Sequence, residues 1–107
     1  MSTDLLHRLA DIIKARRLES AEASYTRKLL DGGAKRCAKK VGEEATELVI
    51  AALAEDNTAL TAEAADVLFH LLVLLESRGV GIDDVLAVLE NRMGISGIAE
   101  KASRGAG

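Results

Sequence analysis

Apolar residues recur along this chain at helical rather than alternating spacing, and glycines punctuate the segments. Leu5, Leu6, Leu9, Ile12 and Ile13 form one stripe of a first helix, which Thr3 is placed to cap. The polar stretch ESAEAS (19–24) follows. Ser24, Tyr25 and Thr26 then open a short helical turn through Leu29 and Leu30, which Gly32 and Gly33 end. A long helix is predicted from about residue 34 to 54, a turn at 55–58 (EDNT), and a second long helix from about 59 to 77 with Gly79 as its stop. Asp83 or its neighbour begins a shorter helix, VLAVLENRM, that Gly94 ends. The tail ISGIAEKASRGAG (95–107) is polar and glycine-bearing, and its end from about 98 is expected to be mobile.

The two long helices depart from simple amphipathicity. On the first, Val41, Ala45, Leu48, Val49 and Ala52 form the expected apolar stripe. Glu43, Glu44 and Glu47 fall in an adjoining sector, which one turn later holds Ile50 and Ala51. On the second, Glu63, Asp66 and His70 share a sector that runs on into Val73 and Leu74. A helix that is apolar all round is covered all round. A chain of 107 residues has too few other helices to cover two such segments. The expectation is an all-α bundle of two long antiparallel helices plus shorter ones, a single domain over 1–107, completed by homodimerisation or a higher oligomer.

Composition narrows the class. The net charge is −3, with 17 acidic and 14 basic residues, which disfavours nucleic acid as the partner. There is no proline, aromatics are nearly absent, and Ala, Leu and Val are left to pack a helical core. Cys37 is the only cysteine, so no intrachain disulfide forms, which fits a reducing compartment. The N-terminal segment has acids among its apolar residues, unlike a signal peptide, and no apolar run approaches a bilayer span. A soluble cytoplasmic protein with no membrane partner is expected.

The candidate chemistry lies in KKVGEEATEL (39–48) and EAAD (63–66). Glu44 and Glu47 are three apart, as are Glu63 and Asp66, so each pair shares a helix face. An antiparallel hairpin through the turn at 55–58 brings the pairs to matching heights, and four carboxylates could converge. Partly buried, they must either be protonated or bind a cation. An all-oxygen set suits Mg²⁺ or Mn²⁺, and Mg²⁺ commonly takes phosphate oxygens as further ligands. The competing reading is a solvated charged face, and these residues alone leave both open.

The acidic spacing, EEATE (43–47) followed by EAAD (63–66), resembles the EExxE…ExxD signature of the MazG-like all-α nucleoside triphosphate pyrophosphohydrolases. SYTRKLLDGG (24–33), KRCAKKVGEEATELVIAA (35–52), AEAADVLFHLLVLLESRGV (62–80), DDVLAVLENRM (83–93) and SGIAEKASR (96–104) narrow the resemblance to the phosphoribosyl-ATP pyrophosphohydrolase family, over nearly the whole chain. The resemblance implies hydrolysis of phosphoribosyl-ATP to phosphoribosyl-AMP and pyrophosphate, the second step of histidine biosynthesis. It also implies a Mg²⁺ requirement and helical dimers. It assigns Glu44, Glu47, Glu63 and Asp66 as metal ligands and Glu43 as the residue that handles the attacking water.

Around these, Lys35, Arg36, Lys39 and Lys40 are candidate phosphate contacts, or simply solvated charge. Ser24, Tyr25 and Thr26 are candidates for phosphate or ribose hydroxyls, or a helix cap beside a packed tyrosine. Lys101, Ser103 and Arg104 could close over substrate from either subunit, or form a solvated end. His70 reads as a satisfied interior histidine, Cys37 as a packing residue, and His7 carries no signal. Two other functions stay in view: a housecleaning pyrophosphatase of dNTPs or damaged nucleotides, which the SYT and SGIAEKASR segments disfavour, and a non-catalytic helical dimer with an acidic face.

Overall fold

A computed structural model describes residues 2–94. They form five helices: α1 (Ser2–Arg16), α2 (Tyr25–Asp31), α3 (Gly33–Ala54), α4 (Asn57–Ser77) and α5 (Ile82–Gly94). No strand occurs among the described residues. The all-α class and the hairpin of two long helices stand as expected. Lys101, Ser103 and Arg104, with the rest of the tail, lie outside the described residues.

Local chemistry sets the element boundaries. α1 is already helical at Ser2, so Thr3 lies within it rather than capping it. Ser24 caps α2: its Oγ accepts the Arg27 amide at 3.0 Å, a contact worth about 1 kcal/mol at such positions. Asp56 caps α4 by accepting the Ala59 amide at 2.9 Å. This cap starts α4 two residues earlier than predicted and shortens the turn to Glu55 and Asp56. Among the described residues, Gly33 and Gly79 have positive φ, 77° and 71°. Gly79 closes α4 in a Schellman arrangement, with the Val80 amide on the Leu75 carbonyl at 2.9 Å and the Gly79 amide on the Glu76 carbonyl at 3.1 Å.

The core is small. Ile13, Leu29, Leu30, Cys37, Leu72 and Val73 are buried together, with Leu6, Leu9, Phe69, Leu74, Leu75 and Ile82 packed against them. Cys37 is a packing residue, as expected, and its thiol donates to the Leu29 carbonyl at 3.3 Å. α3 and α4 form the main hairpin; α1 and α2 cover one end of it, and α5 touches the rest mainly through α1. Arg17 fastens the end of α1 to Glu76 of α4 at 2.7 Å, and His7 of α1 meets Asp83 of α5.

Two expectations need correction. The face of α3 buried within the protomer is only in part the predicted stripe: Val41, Ala45 and Leu48 are half-buried, but the fully buried positions lie outside it. They are Cys37, Glu44 and Ala51, seven residues apart, while Val49 and Ala52 are exposed. The apolar positions of α3 therefore belong to two faces, only one of which the protomer covers. α4, at 21 residues, is also long and apolar enough to cross a membrane by length and composition alone. Only 17% of its most apolar stretch is buried within the protomer. Its apolarity exceeds what α3 and the short helices can cover.

A carboxylate cluster beside a cationic cleft

Glu44 sits in the buried seam of α3, where heptad spacing would ordinarily place a leucine or alanine. Its side chain is 11% exposed. Across the hairpin, α4 presents Glu63 and Asp66. One carboxylate oxygen from each of Glu44, Glu63 and Asp66 lies within 4.8 Å of the others. This is three of the four groups expected to converge. The Oε2 atom of Glu63 is buried with no hydrogen-bond partner among the described residues. The Glu63 carboxyl is pushed above the usual range, first by its removal from water and then by the negative charges of Glu47, Asp66 and Glu44. Glu47, exposed on α3, thus stands beside Glu63 at the rim of the three-residue cluster.

An orphaned buried carboxylate oxygen among like charges is costly unless a cation meets it. The donor set is all oxygen, which fits a hard divalent ion. Glu44, Glu63 and Asp66 are positioned to hold one, with Glu47 alongside.

Next to the cluster, α2 and the first three turns of α3 enclose a cleft of about 550 Å³. Its lining includes Tyr25, Lys35, Arg36, Lys39, Lys40 and Glu43. All four cations expected on α3 therefore face one concavity. They are not equivalent. Lys40 Nζ lies 3.6 Å from Glu43 and 3.8 Å from Glu44, joining the cleft to the acids. Its pKa is raised, first by the negative charge Tyr25 would carry when ionised and, beyond an opposing effect of burial, by Glu44 and Glu43, so it stays charged. Lys35, Arg36 and Lys39 make no ion pair among the described residues. Gly32 gives Arg36 its place: a Cβ there would sit 2.4 Å from the Arg36 Cδ.

The SYT segment divides by role. Ser24 and Thr26 are buried, and the Ser24 hydroxyl is occupied as a cap. Tyr25 alone of the three faces the cleft, and it is half exposed. Its hydroxyl lies 3.0 Å from Nε2 of His70, whose Nδ1 lies 2.7 Å from the Asp66 carbonyl. A carbonyl only accepts, so Nδ1 carries the proton, Nε2 accepts, and the Tyr25 hydroxyl donates. His70 is buried and satisfied, as expected. Its link from the cleft to the Asp66 backbone was not legible in the sequence. The i,i+4 spacing of Asp66 and His70 was the available signal, and it pointed to the carboxylate rather than the backbone. Glu43 is exposed at the junction of cleft and cluster, outside the three-carboxylate group.

The family pattern of phosphoribosyl-ATP pyrophosphohydrolase matches residues 6–93. A curated relative from Rhodopseudomonas palustris, phosphoribosyl-ATP pyrophosphatase 1, is 55% identical over 104 residues, covering 97% of each chain. A protein of the same name from Bradyrhizobium diazoefficiens is 56% identical over 99 residues, 92% of this chain and 93% of that one. Phosphoribosyl-ATP pyrophosphatase from Rhodobacter capsulatus is 53% identical over 100 residues, 94% of this chain and 97% of its own. The likeness runs through every helix that carries the acidic cluster and the cleft, and the chain belongs to the phosphoribosyl-ATP pyrophosphohydrolase family.

Proposed function

We propose that the protein hydrolyses phosphoribosyl-ATP to phosphoribosyl-AMP and pyrophosphate, the second step of histidine biosynthesis, with Mg²⁺, or Mn²⁺ in its place, at the carboxylate cluster. The observation that carries this reading is the convergence of Glu44, Glu63 and Asp66 around an orphaned buried oxygen, beside a cleft lined by Lys35, Arg36, Lys39 and Lys40. Relatives named for this reaction, more than half identical over almost the whole chain, support it.

In the reaction the oxygen of water adds to phosphorus at the α–β linkage, the bridging P–O bond breaks, and pyrophosphate leaves. A divalent ion, when bound, supplies charge neutralisation for the triphosphate and lowers the pKa of water. The chain's own groups do the rest. Glu44, Glu63 and Asp66 would hold the ion from two helices, with Glu47 at the acidic rim beside Glu63. Glu43, exposed at the edge of the cleft, is the candidate to take the water proton. Lys40 is drawn to the acids and stays charged, so it is placed to stabilise charge growing on the departing phosphates. Lys35, Arg36 and Lys39 add phosphate contacts from the cleft.

The working unit is proposed to be a cytoplasmic homodimer, formed as one single-domain chain pairs with another. What supports this is the apolar surface left open on the hairpin: Val49, Ile50, Leu53 and Leu68 are all half exposed or more, or nearly so, with Leu53 at 83%. A second copy would cover it, and no membrane is required to do so.

The test is pyrophosphate release from phosphoribosyl-ATP with and without Mg²⁺, alongside dATP and dCTP. Release from phosphoribosyl-ATP that depends on the ion supports the reading. Release from the deoxynucleotides alone overturns it in favour of a housecleaning pyrophosphatase.

A further inference from the structure

The four cations of the cleft are separated along α3 by both distance and pairing. Lys40 is held among the acids. Lys35 lies nine residues before Glu44, about 13 Å along the helix axis, and Arg36 is one residue nearer. Lys39 lies between. These three have no carboxylate partner among the described residues, and they share one concavity with Tyr25, Leu29 and Gly32. A volume of about 550 Å³ is that of a small-molecule pocket rather than of a single phosphate. The cleft is therefore larger than a triphosphate anchored at the carboxylates would need, and its uncompensated charge lies at the far end.

The substrate of the proposed reaction has matching ends. Besides its triphosphate, phosphoribosyl-ATP carries on its adenine a second ribose with its own phosphate. The two anionic groups sit at opposite ends of a ribose–adenine–ribose core. Resting on the function proposed above, the geometry points to Lys35, Arg36 and Lys39 as the residues that bind the phosphate of the phosphoribosyl group, and so distinguish this substrate from ATP. The triphosphate is left to the carboxylate cluster and Lys40. Tyr25 stands between the two ends: it lines the cleft, and its hydroxyl reaches the α4 turn that carries Asp66. The adenine–ribose core spans this middle ground, with the exposed side of Tyr25 as its apolar wall.

This assignment changes what the lysines are for. Cations that bind the triphosphate serve any nucleoside triphosphate. Cations that bind the distal phosphate serve only a nucleotide that has one. Selectivity against ATP is then a property of the first two turns of α3 rather than of the acidic signature.

The experiment compares product inhibition in the full-length enzyme and in the variants Lys35→Ala, Arg36→Ala and Lys39→Ala, singly and combined, with melting curves to confirm folding. All three side chains are exposed on α3, so the variants are expected to fold. The inhibitors are phosphoribosyl-AMP, AMP and pyrophosphate, which separate the two ends of the substrate. The wild-type enzyme should bind phosphoribosyl-AMP more tightly than AMP. The combined variant should lose at least about ten-fold of that preference, equivalent to about 1.4 kcal/mol, and keep its inhibition by pyrophosphate. Loss of pyrophosphate inhibition with the preference intact would overturn the assignment and place the triphosphate end in the cleft. An unchanged preference and unchanged pyrophosphate inhibition would overturn it too. A failure of the proposed function itself reads differently: the wild-type enzyme would then not hydrolyse phosphoribosyl-ATP at all.

Discussion

The Tyr25 hydroxyl donates to Nε2 of His70 across 3.0 Å, joining the cleft wall on α2 to the interior of α4. His70 has no freedom to turn away, because its other nitrogen is held by the Asp66 carbonyl at 2.7 Å. Tyr25→Phe leaves Nε2 buried without a donor, and an unsatisfied group of this kind costs about 1–3 kcal/mol. Urea unfolding should show a loss in that range. His70→Leu removes the buried imidazole together with its bond to the Asp66 carbonyl, which keeps its helical partner, and should cost about as much or less. The double variant should fall short of the sum of the two losses, as expected for groups in one network.

Glu63 makes the acidic cluster unfavourable until a cation arrives. Its folded pKa is raised, so the folded state binds a proton more tightly than the unfolded chain does. Metal-free protein therefore gains stability as pH falls through the raised folded value toward the ordinary glutamate value, and lacks that contribution at neutral pH. A divalent ion acts in the opposite sense, since it needs the carboxylates ionised. Thermal melts from pH 8 to pH 4.5 should show the stabilisation by Mg²⁺ largest at the alkaline end and vanishing at the acid end. At a hundred-fold excess over its dissociation constant the ion should add about 2.7 kcal/mol.

Glu63→Gln separates stability from activity. It removes one of the converging charges, so the metal-free variant should melt above the metal-free wild type at pH 7.5. Its pyrophosphate release should fall by a factor on the order of 100 or more, because charge neutralisation by a bound ion is worth several kcal/mol. A simple solvated acidic face would show neither change.

Gly32→Ala tests the placement of Arg36 without touching a charge. The backbone φ of Gly32 is −76°, which alanine accepts, but the new Cβ would meet the Arg36 stem at 2.4 Å to Cδ and 2.8 Å to Cβ. The Arg36 stem must turn away and, because its Cβ moves only with the backbone, the first turn of α3 must shift with it. Since a charge-assisted contact is worth about 1.5–3 kcal/mol, KM for phosphoribosyl-ATP should rise about ten-fold with a smaller change in kcat.

Leu53→Glu places a charge on the open apolar side of the hairpin, nine residues beyond Glu44 and 83% exposed in the protomer. Sedimentation should show weaker self-association than in the wild type. The same substitution would leave sedimentation unchanged in a protein whose hairpin faces only water.

The helices were legible in the sequence because their signals are local. Ser24 as a cap, Gly33 and Gly79 at the helix ends, and 3.6-residue spacing all act within a turn or two. Asp56 was a local signal too, but it was read as part of a turn, which set the start of α4 two residues late. The carboxylate pairs were legible because their spacing and the short hairpin fix which faces meet. Which face of α3 is buried was not. The apolar residues of α3 serve two faces, and helical periodicity adds them together, so the reading favoured Val49 and Ala52 over the seam through Glu44. α4 reads as apolar all round and in need of a partner copy, but it is also long and apolar enough to cross a membrane by length and composition, against the expectation that no apolar run approaches a bilayer span. The link from Tyr25 through His70 to Asp66 joins residues 45 positions apart, and no local pattern encodes it.

The central claim is that Glu44, Glu63 and Asp66 hold the ion on which pyrophosphate release depends. Asp66→Asn, with Glu90→Gln on exposed α5 as a control, tests it most directly in a Mg²⁺ titration of pyrophosphate release from phosphoribosyl-ATP. The control should follow the wild-type curve, while Asp66→Asn should need far more Mg²⁺ and stay at least about 100-fold slower at saturation. A wild-type Mg²⁺ curve and rate in Asp66→Asn would contradict it.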